Sequence, residues 1–185
     1  MRIGLGILAF GLFWLGDWND WKWGRRALRL CFPAGLVLLA ASTVLLCGRV
    51  PPARAAVRAL LGAAGAALLA LLVYTLFFAL PAGEAYVTQN GRRPACTTGV
   101  YALRRHPGVL WFFLLYLCLW GALGVPLLAG LLFSLLNVLL VMFEDRFVFP
   151  DRLEGYEAYR ASTPFLLPTA RSLRACAESL RVRRG

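Results

Sequence analysis

The chain has 185 residues, 60% of them hydrophobic, with a mean hydropathy of +0.68; a soluble domain holds roughly 45–50% apolar residues. That excludes an ordinary water-soluble globule and points to an integral membrane protein. The net charge of +11 would suit a nucleic-acid binder, but the arginines are spread among the segments between apolar runs and no nucleic-acid module is present. The charge therefore reads as a topology signal and as attraction to anionic lipid head groups.

A helix needs about 20 apolar residues to cross a hydrocarbon core. Taken in chain order, the first apolar run is Ile3 to Leu15. Arg2 before it resembles the start of a signal peptide, but no small-residue cleavage site follows. Trp14, Trp18, Trp21 and Trp23 follow instead, beside Lys22, Arg25 and Arg26, as an interfacial aromatic anchor of a retained helix would have them. The next runs are Leu30 to Cys47 and Ala55 to Leu80. In the latter, two stripes of small residues, Ala59, Ala63, Ala67 and Gly62, Ala66, Ala70, predict close helix packing. The block from Val109 to Phe143 is too long for one span and must fold back at Gly121 to Pro126, with Pro126 opening the second helix. These runs predict an all-α polytopic bundle of about five transmembrane helices, a single domain over 1–185, and a C-terminal cytosolic segment.

Arginine placement sets the expected orientation. Lys22, Arg25, Arg26 and Arg29, then Arg92, Arg93, Arg104 and Arg105, then the tail from Arg146 to Arg184 fall on one side of a five-span chain. The positive-inside rule makes that side cytoplasmic. Gly91 is then cytoplasmic and Pro51 external, with the arginines between Arg49 and Arg58 running against the trend. The five cysteines are odd in number, scattered and without a C-x-x-C pair, so neither disulfides nor a metal site is predicted.

The chemistry concentrates around the last hairpin. Gly99-Val-Tyr101-Ala-Leu-Arg104-Arg105-His106-Pro107 places cations and the only histidine directly before an apolar block that ends in Glu144-Asp145-Arg146. Ionisable groups beside hydrocarbon are costly unless they meet water or a partner. In the last span Gly130, Ser134, Asn137, Val141 and Glu144 recur every three or four residues, so this small or polar face should look inward. Asp151 to Ala161 is expected to form a short amphipathic helix at the membrane surface before Pro164-Phe-Leu-Leu-Pro168.

In order and spacing, Gly99-Val-Tyr101, Arg105-His106-Pro107, the apolar hairpin, Glu144-Asp145-Arg146-Phe147, Tyr156, Tyr159 and Pro164 to Pro168 resemble the isoprenylcysteine carboxyl methyltransferase and phospholipid methyltransferase superfamily. The resemblance covers about Thr98 to Pro168. The chain departs from the family pattern at Val109 (tyrosine in the family), Trp111 (glycine), Asp145 as the second acid, and Arg152-Leu153 before the paired tyrosines (Phe-Gly). The resemblance implies a membrane-embedded, S-adenosylmethionine-dependent methyltransferase in a bacterial cell membrane. Its cofactor site would be cytoplasmic, its acceptor a lipophilic carboxylate, amine or thiol arriving from the bilayer, and no metal or nucleic acid would take part. It also implies site residues. Arg105 and His106, ahead of Pro107 at a helix start, would hold the cofactor carboxylate; Glu144 would answer its ammonium or ribose; Tyr101, Tyr156 and Tyr159 would wall the adenine. Arg105 and Glu144 are the candidate catalytic residues. Two other classes stay open: a nicotinamide-dependent membrane reductase of the sterol-reductase type, and a non-catalytic membrane protein resembling the NnrU type.

Overall fold

The computed structural model describes residues 1–48, 55–79 and 92–182. The predicted positions of Pro51 and Gly91, together with Arg49, Arg54, Arg183 and Arg184, lie outside the described residues. The fold is almost wholly helical. α1 (Arg2–Trp18) runs into a π-helical turn, Asn19–Trp23, which stops at Gly24 with φ of 63°. Asn19 closes this corner with both ends of its amide: the side-chain oxygen accepts from the Arg25 N–H at 2.8 Å and the nitrogen donates to the Arg25 carbonyl at 3.2 Å. A 3-10 turn, Arg26–Leu30, then feeds α2 (Cys31–Leu46). α3 (Ala55–Val73) is prolonged by a π-helical turn, Tyr74–Phe78.

The hairpin forms where its turn residues require. α4 (Val100–Leu103) leads to α5 (Pro107–Leu123), which has proline at its first position; Gly124 ends α5 in the left-handed region at φ 69°, and Pro126 caps α6 (Leu127–Phe143). Proline at a helix start loses no hydrogen bond, and glycine tolerates the left-handed exit. α6 continues through the π-helical turn Glu144–Val148 into α7 (Phe149–Arg152). α8 (Tyr156–Ser162) and α9 (Ala170–Val182) follow. Two short strands, β1 (Arg93–Pro94) and β2 (Leu153–Glu154), pair in parallel.

Among the described residues three helical stretches, Arg26–Leu46, Ala55–Phe78 and Leu127–Arg152, are long and apolar enough to cross a membrane. α5 is equally apolar but spans 17 residues, as does α1. α1 packs along α2 and α3 along α5, while α6 touches both α5 and α1. The centre is aromatic: Phe10 lies edge-on to Phe13 and Phe112, and Tyr116 edge-on to Phe133. α1 and α2 fit around that centre because two positions carry no side chain. A Cβ at Gly6 would fall on the Phe133 ring, and one at Gly35 on the Phe13 ring at 2.6 Å. The outside is as apolar as the inside. Val44, Leu60 and Leu128 are 70%, 70% and 73% exposed, an inversion that suits a hydrocarbon surround rather than water.

Two local expectations are corrected. The small-residue stripes of α3 do not pack: Ala59, Gly62, Ala63, Ala66, Ala67 and Ala70 are all exposed, and the line turned to α5 is Leu61, Gly65, Leu68 and Leu72. A helix apolar on every side carries no periodic signal of its buried face, and α5 receives Gly65 against Cys118. Likewise Asp151 to Ala161 is no single helix. Gly155, at φ 72°, separates α8 from β2, and the β1–β2 pairing takes residues the helix would have needed.

The expected grouping of basic segments at one end holds among the described residues. The Trp21 indole N–H donates to Asp151 at 2.7 Å, Arg92 donates to the carbonyls of Asp151 and Pro150, and Arg105 meets Asp145. At the opposite end the Gly48 N–H donates to the Leu123 carbonyl at 3.0 Å, tying the end of α2 to the α5–α6 turn.

Candidate functional site

The residues of the family-like motif converge, and the centre of their cluster is Asp145. Its Oδ1 accepts from Arg105 Nε at 2.8 Å, from His106 Nε2 at 3.2 Å and from the Tyr156 hydroxyl at 2.6 Å. The neighbouring Oδ2 faces Arg105 Nη2 at 3.4 Å and Arg160 Nε at 3.6 Å. Such a carboxylate is well compensated. Arg105 is equally committed, since Nη1 also donates to the carbonyls of Arg160 at 2.7 Å and Thr163 at 2.6 Å. Of five guanidinium N–H groups, one is left. The expectation that Arg105 holds a ligand carboxylate thus meets a cation already occupied by the protein.

The backbone beneath this cluster is pinned by the Pro164 to Pro168 segment. The Arg105 and His106 N–H groups donate to the carbonyls of Pro164 and Phe165 at 2.9 and 3.3 Å. His106, at φ −122° and ψ 67°, does not extend α5, because the residue before a proline is disfavoured in the helical region. His106 caps α5, stacks on Phe149 and meets Phe165 edge-on. With Nε2–H directed at Asp145, a tautomer assigned from that partner, Nδ1 is an acceptor. Burial lowers the His106 pKa, against the opposing pull of Asp145.

The tyrosines are built in as donors. The Tyr159 hydroxyl donates to the Tyr101 carbonyl at 2.7 Å, and the Tyr101 hydroxyl donates to the Thr75 carbonyl at 2.9 Å. Burial raises the Tyr101 pKa to about 12. It also raises Tyr156 and Tyr159 above the ordinary range, with the Asp145 hydrogen bond adding at Tyr156. All three keep their protons at neutral pH. One departure from the family pattern acquires a reason here. Trp111 lies under the buried Arg104 guanidinium at 5.1 Å, a cation–π contact that glycine cannot make.

Glu144 takes no part in the Asp145 hydrogen bonds, yet it lines one cavity with Tyr101, Arg105, His106 and Pro107. This cavity, of about 280 Å³ inside the bundle, is walled by Phe10, Phe13, Phe112 and Leu140, with Arg105, His106 and Asn137 at its polar margin. The Asp17 carboxyl is the acidic neighbour of Glu144, and Asp17 Oδ2 is buried without a hydrogen-bond partner among the described residues. The inward face predicted for α6 is the observed one: Gly130, Ser134 and Val141 are buried, and Asn137 and Glu144 line this cavity. A second cavity of about 290 Å³ lies against β1 and α8, with Tyr101, Tyr156, Tyr159 and Phe149 as aromatic wall and Arg93 and Cys96 beside them. Tyr101, Arg105 and Phe149 line both, so they form the partition between an apolar chamber and an aromatic one. Both volumes lie near the lower end of the roughly 300–1,000 Å³ usual for ligand sites.

Sequence reasoning missed four of these residues. Asp145 was passed over for its neighbour Glu144. Asp17 carried a usable signal, an acid seven and four residues after Phe10 and Phe13 on one face of an apolar helix. Phe149 and Arg93 carried none, because their roles come from the β1–β2 pairing. Arg93 is exposed, lines the aromatic chamber and forms no ion pair among the described residues. No protein-family model, curated protein or solved structure matches this chain, and the chemistry of the two chambers is what bears on function.

Proposed function

We propose that the protein is a membrane methyltransferase that takes S-adenosylmethionine in the aromatic chamber and a lipophilic acceptor in the apolar one. The observation that carries this reading is the pair of chambers sharing the partition Tyr101, Arg105 and Phe149. One chamber suits a flat, polar, heteroaromatic ligand and the other a hydrocarbon tail. Bound there, S-adenosylmethionine supplies a methyl group on a positively charged sulfur, so the protein's task is chiefly alignment. Tyr156, Tyr159 and Phe149 would flank the adenine, and Arg93, with the one remaining N–H of Arg105, would face the carboxylate. On the acceptor side, Glu144 or His106 Nδ1 would take the proton of an amine or thiol, whereas a carboxylate acceptor would need none removed. The bundle is read as five spans, with α1 and α5 as the shorter two, and the end bearing Arg25, Arg93 and Arg105 as the cytoplasmic face.

Isothermal titration of the detergent-solubilised chain with S-adenosylmethionine and its demethylated product tests the reading. Saturable binding, weakened by Arg93→Gln and Tyr156→Ala, is the expected result. Binding of NADPH instead favours the reductase class. Binding of neither by folded protein favours a non-catalytic scaffold, for which the hydrogen bonds between Arg105 and Asp145 would be purely architectural.

A further inference from the structure

α9 has two unlike faces. Ser172 and Ser179, seven residues apart, turn to the body of the protein: Ser172 is buried and exchanges hydrogen bonds with Thr169 at the helix start, and Ser179 Oγ accepts from the Gly99 N–H at 3.0 Å. Leu173 and Leu180, also seven apart, are 55% and 47% exposed, and Leu167 just before the helix is 77% exposed. Arg174 and Arg181 adjoin those leucines on the same heptad spacing, Arg171 adds a third cation, and Glu178 is the only acid of the helix. Two leucines held in water beside Arg174 and Arg181 are costly for a soluble tail but favourable at an anionic bilayer.

The position of α9 fits such a surface. It packs on α4, which passes through Arg104 to His106 straight into the apolar helix α5 at Pro107. The same end of the bundle carries Trp18 and Trp23, 40% and 50% exposed, and Lys22 over the Trp21 ring, the composition of an interfacial belt.

We propose that α9 lies flat in the head-group layer, Leu173 and Leu180 in the acyl boundary and Arg174 and Arg181 on phosphates of anionic lipid. The proposal rests on the bundle being membrane-spanning and not on the methyltransferase reading. The test uses the full chain in nanodiscs of phosphatidylcholine with or without phosphatidylglycerol. Nitroxides are attached at Leu173→Cys, Leu180→Cys and Glu178→Cys in a background lacking the native cysteines, and collision with oxygen is compared with collision with a water-soluble nickel chelate. Oxygen should dominate at 173 and 180 and nickel at 178, the contrast falling at least severalfold without phosphatidylglycerol. Nickel access at 173 and 180 equal to that at 178 overturns the proposal, as does shielding from both reagents with spin–spin broadening, which would place a second copy there. Because removing cysteines can disturb folding, amide hydrogen exchange of 170–182 is followed in the unmodified chain as well; equal exchange in the two lipid compositions also overturns it.

Discussion

Two adjacent carboxylates, Glu144 and Asp145, inhabit opposite environments. Asp145 accepts from Arg105, His106 and Tyr156, whereas Glu144 looks into an apolar chamber and meets another acid, Asp17. Neighbours on a helix point about 100° apart, so one residue of offset separates an acid compensated by three donors from one that lines the apolar chamber. The polar cluster ties α5, α6, α8 and the Pro164 to Pro168 segment together. The apolar chamber is where hydrogen-bonding capacity is poorly compensated, and unspent capacity is what binding and proton transfer use.

The largest effect should come from breaking the cluster. Asp145→Ala leaves the Arg105 guanidinium, with its side chain 10% exposed, without its carboxylate and strips two further donors of their acceptor. A loss of about 3–5 kcal/mol is expected, read as a collapse of the melting temperature in detergent. A shift of no more than a degree or two would show that the cluster is not what holds this end together.

Next in size is the contrast between two arginines. Arg93→Gln should weaken cofactor binding by roughly ten- to a hundredfold, the worth of one charge-assisted hydrogen bond of about 1.5–3 kcal/mol, at unchanged melting temperature. Arg105→Gln should do the reverse, lowering stability first. Calorimetric binding and melting curves on both variants decide it, and identical profiles would erase the distinction between occupied and available cations.

A pH dependence follows from His106. Burial lowers its pKa from the ordinary 6.5, so the unfolded chain binds that proton more readily than the folded one. Stability from this group is therefore complete above about pH 6.5 and is lost as the pH falls below it. Melting temperatures of wild type should drop more steeply between pH 7 and 5 than those of His106→Gln; parallel curves would assign the slope to other groups.

Tyr159→Phe removes one hydroxyl donor to the Tyr101 carbonyl at 2.7 Å and should cost about 0.5–1.5 kcal/mol by denaturant titration. Glu144→Gln should cost least. It keeps the volume, exchanges one acid of a close pair for an amide, and so should leave the melting temperature near that of wild type while impairing ligand binding or turnover. Marked destabilisation by this variant would move Glu144 into the structural class with Asp145 and end the comparison.

Much of the helical scaffold was legible in the chain itself, because the signals are local. Proline at 107 and 126 and glycine at 124 dictate helix starts and a left-handed exit whatever packs against them. Apolar runs of sufficient length delimit the helices, and the polar stripe on α6 stands out because the rest of that helix is hydrocarbon. Where the contrast is missing, so is the information. α3 is small or apolar on every side, and only contact with α5 selects Leu61, Gly65 and Leu68 as its packed line. The same division runs through the site. That Arg105, His106, Tyr156 and Tyr159 gather was an expectation carried by the resemblance, since nothing in spacing alone brings residues so far apart in the chain together. Which of two adjacent acids meets them was decided by tertiary structure alone, through the rotation of the α6 end against α1 and α8, since a carboxylate's role depends on the partners that compensate its charge.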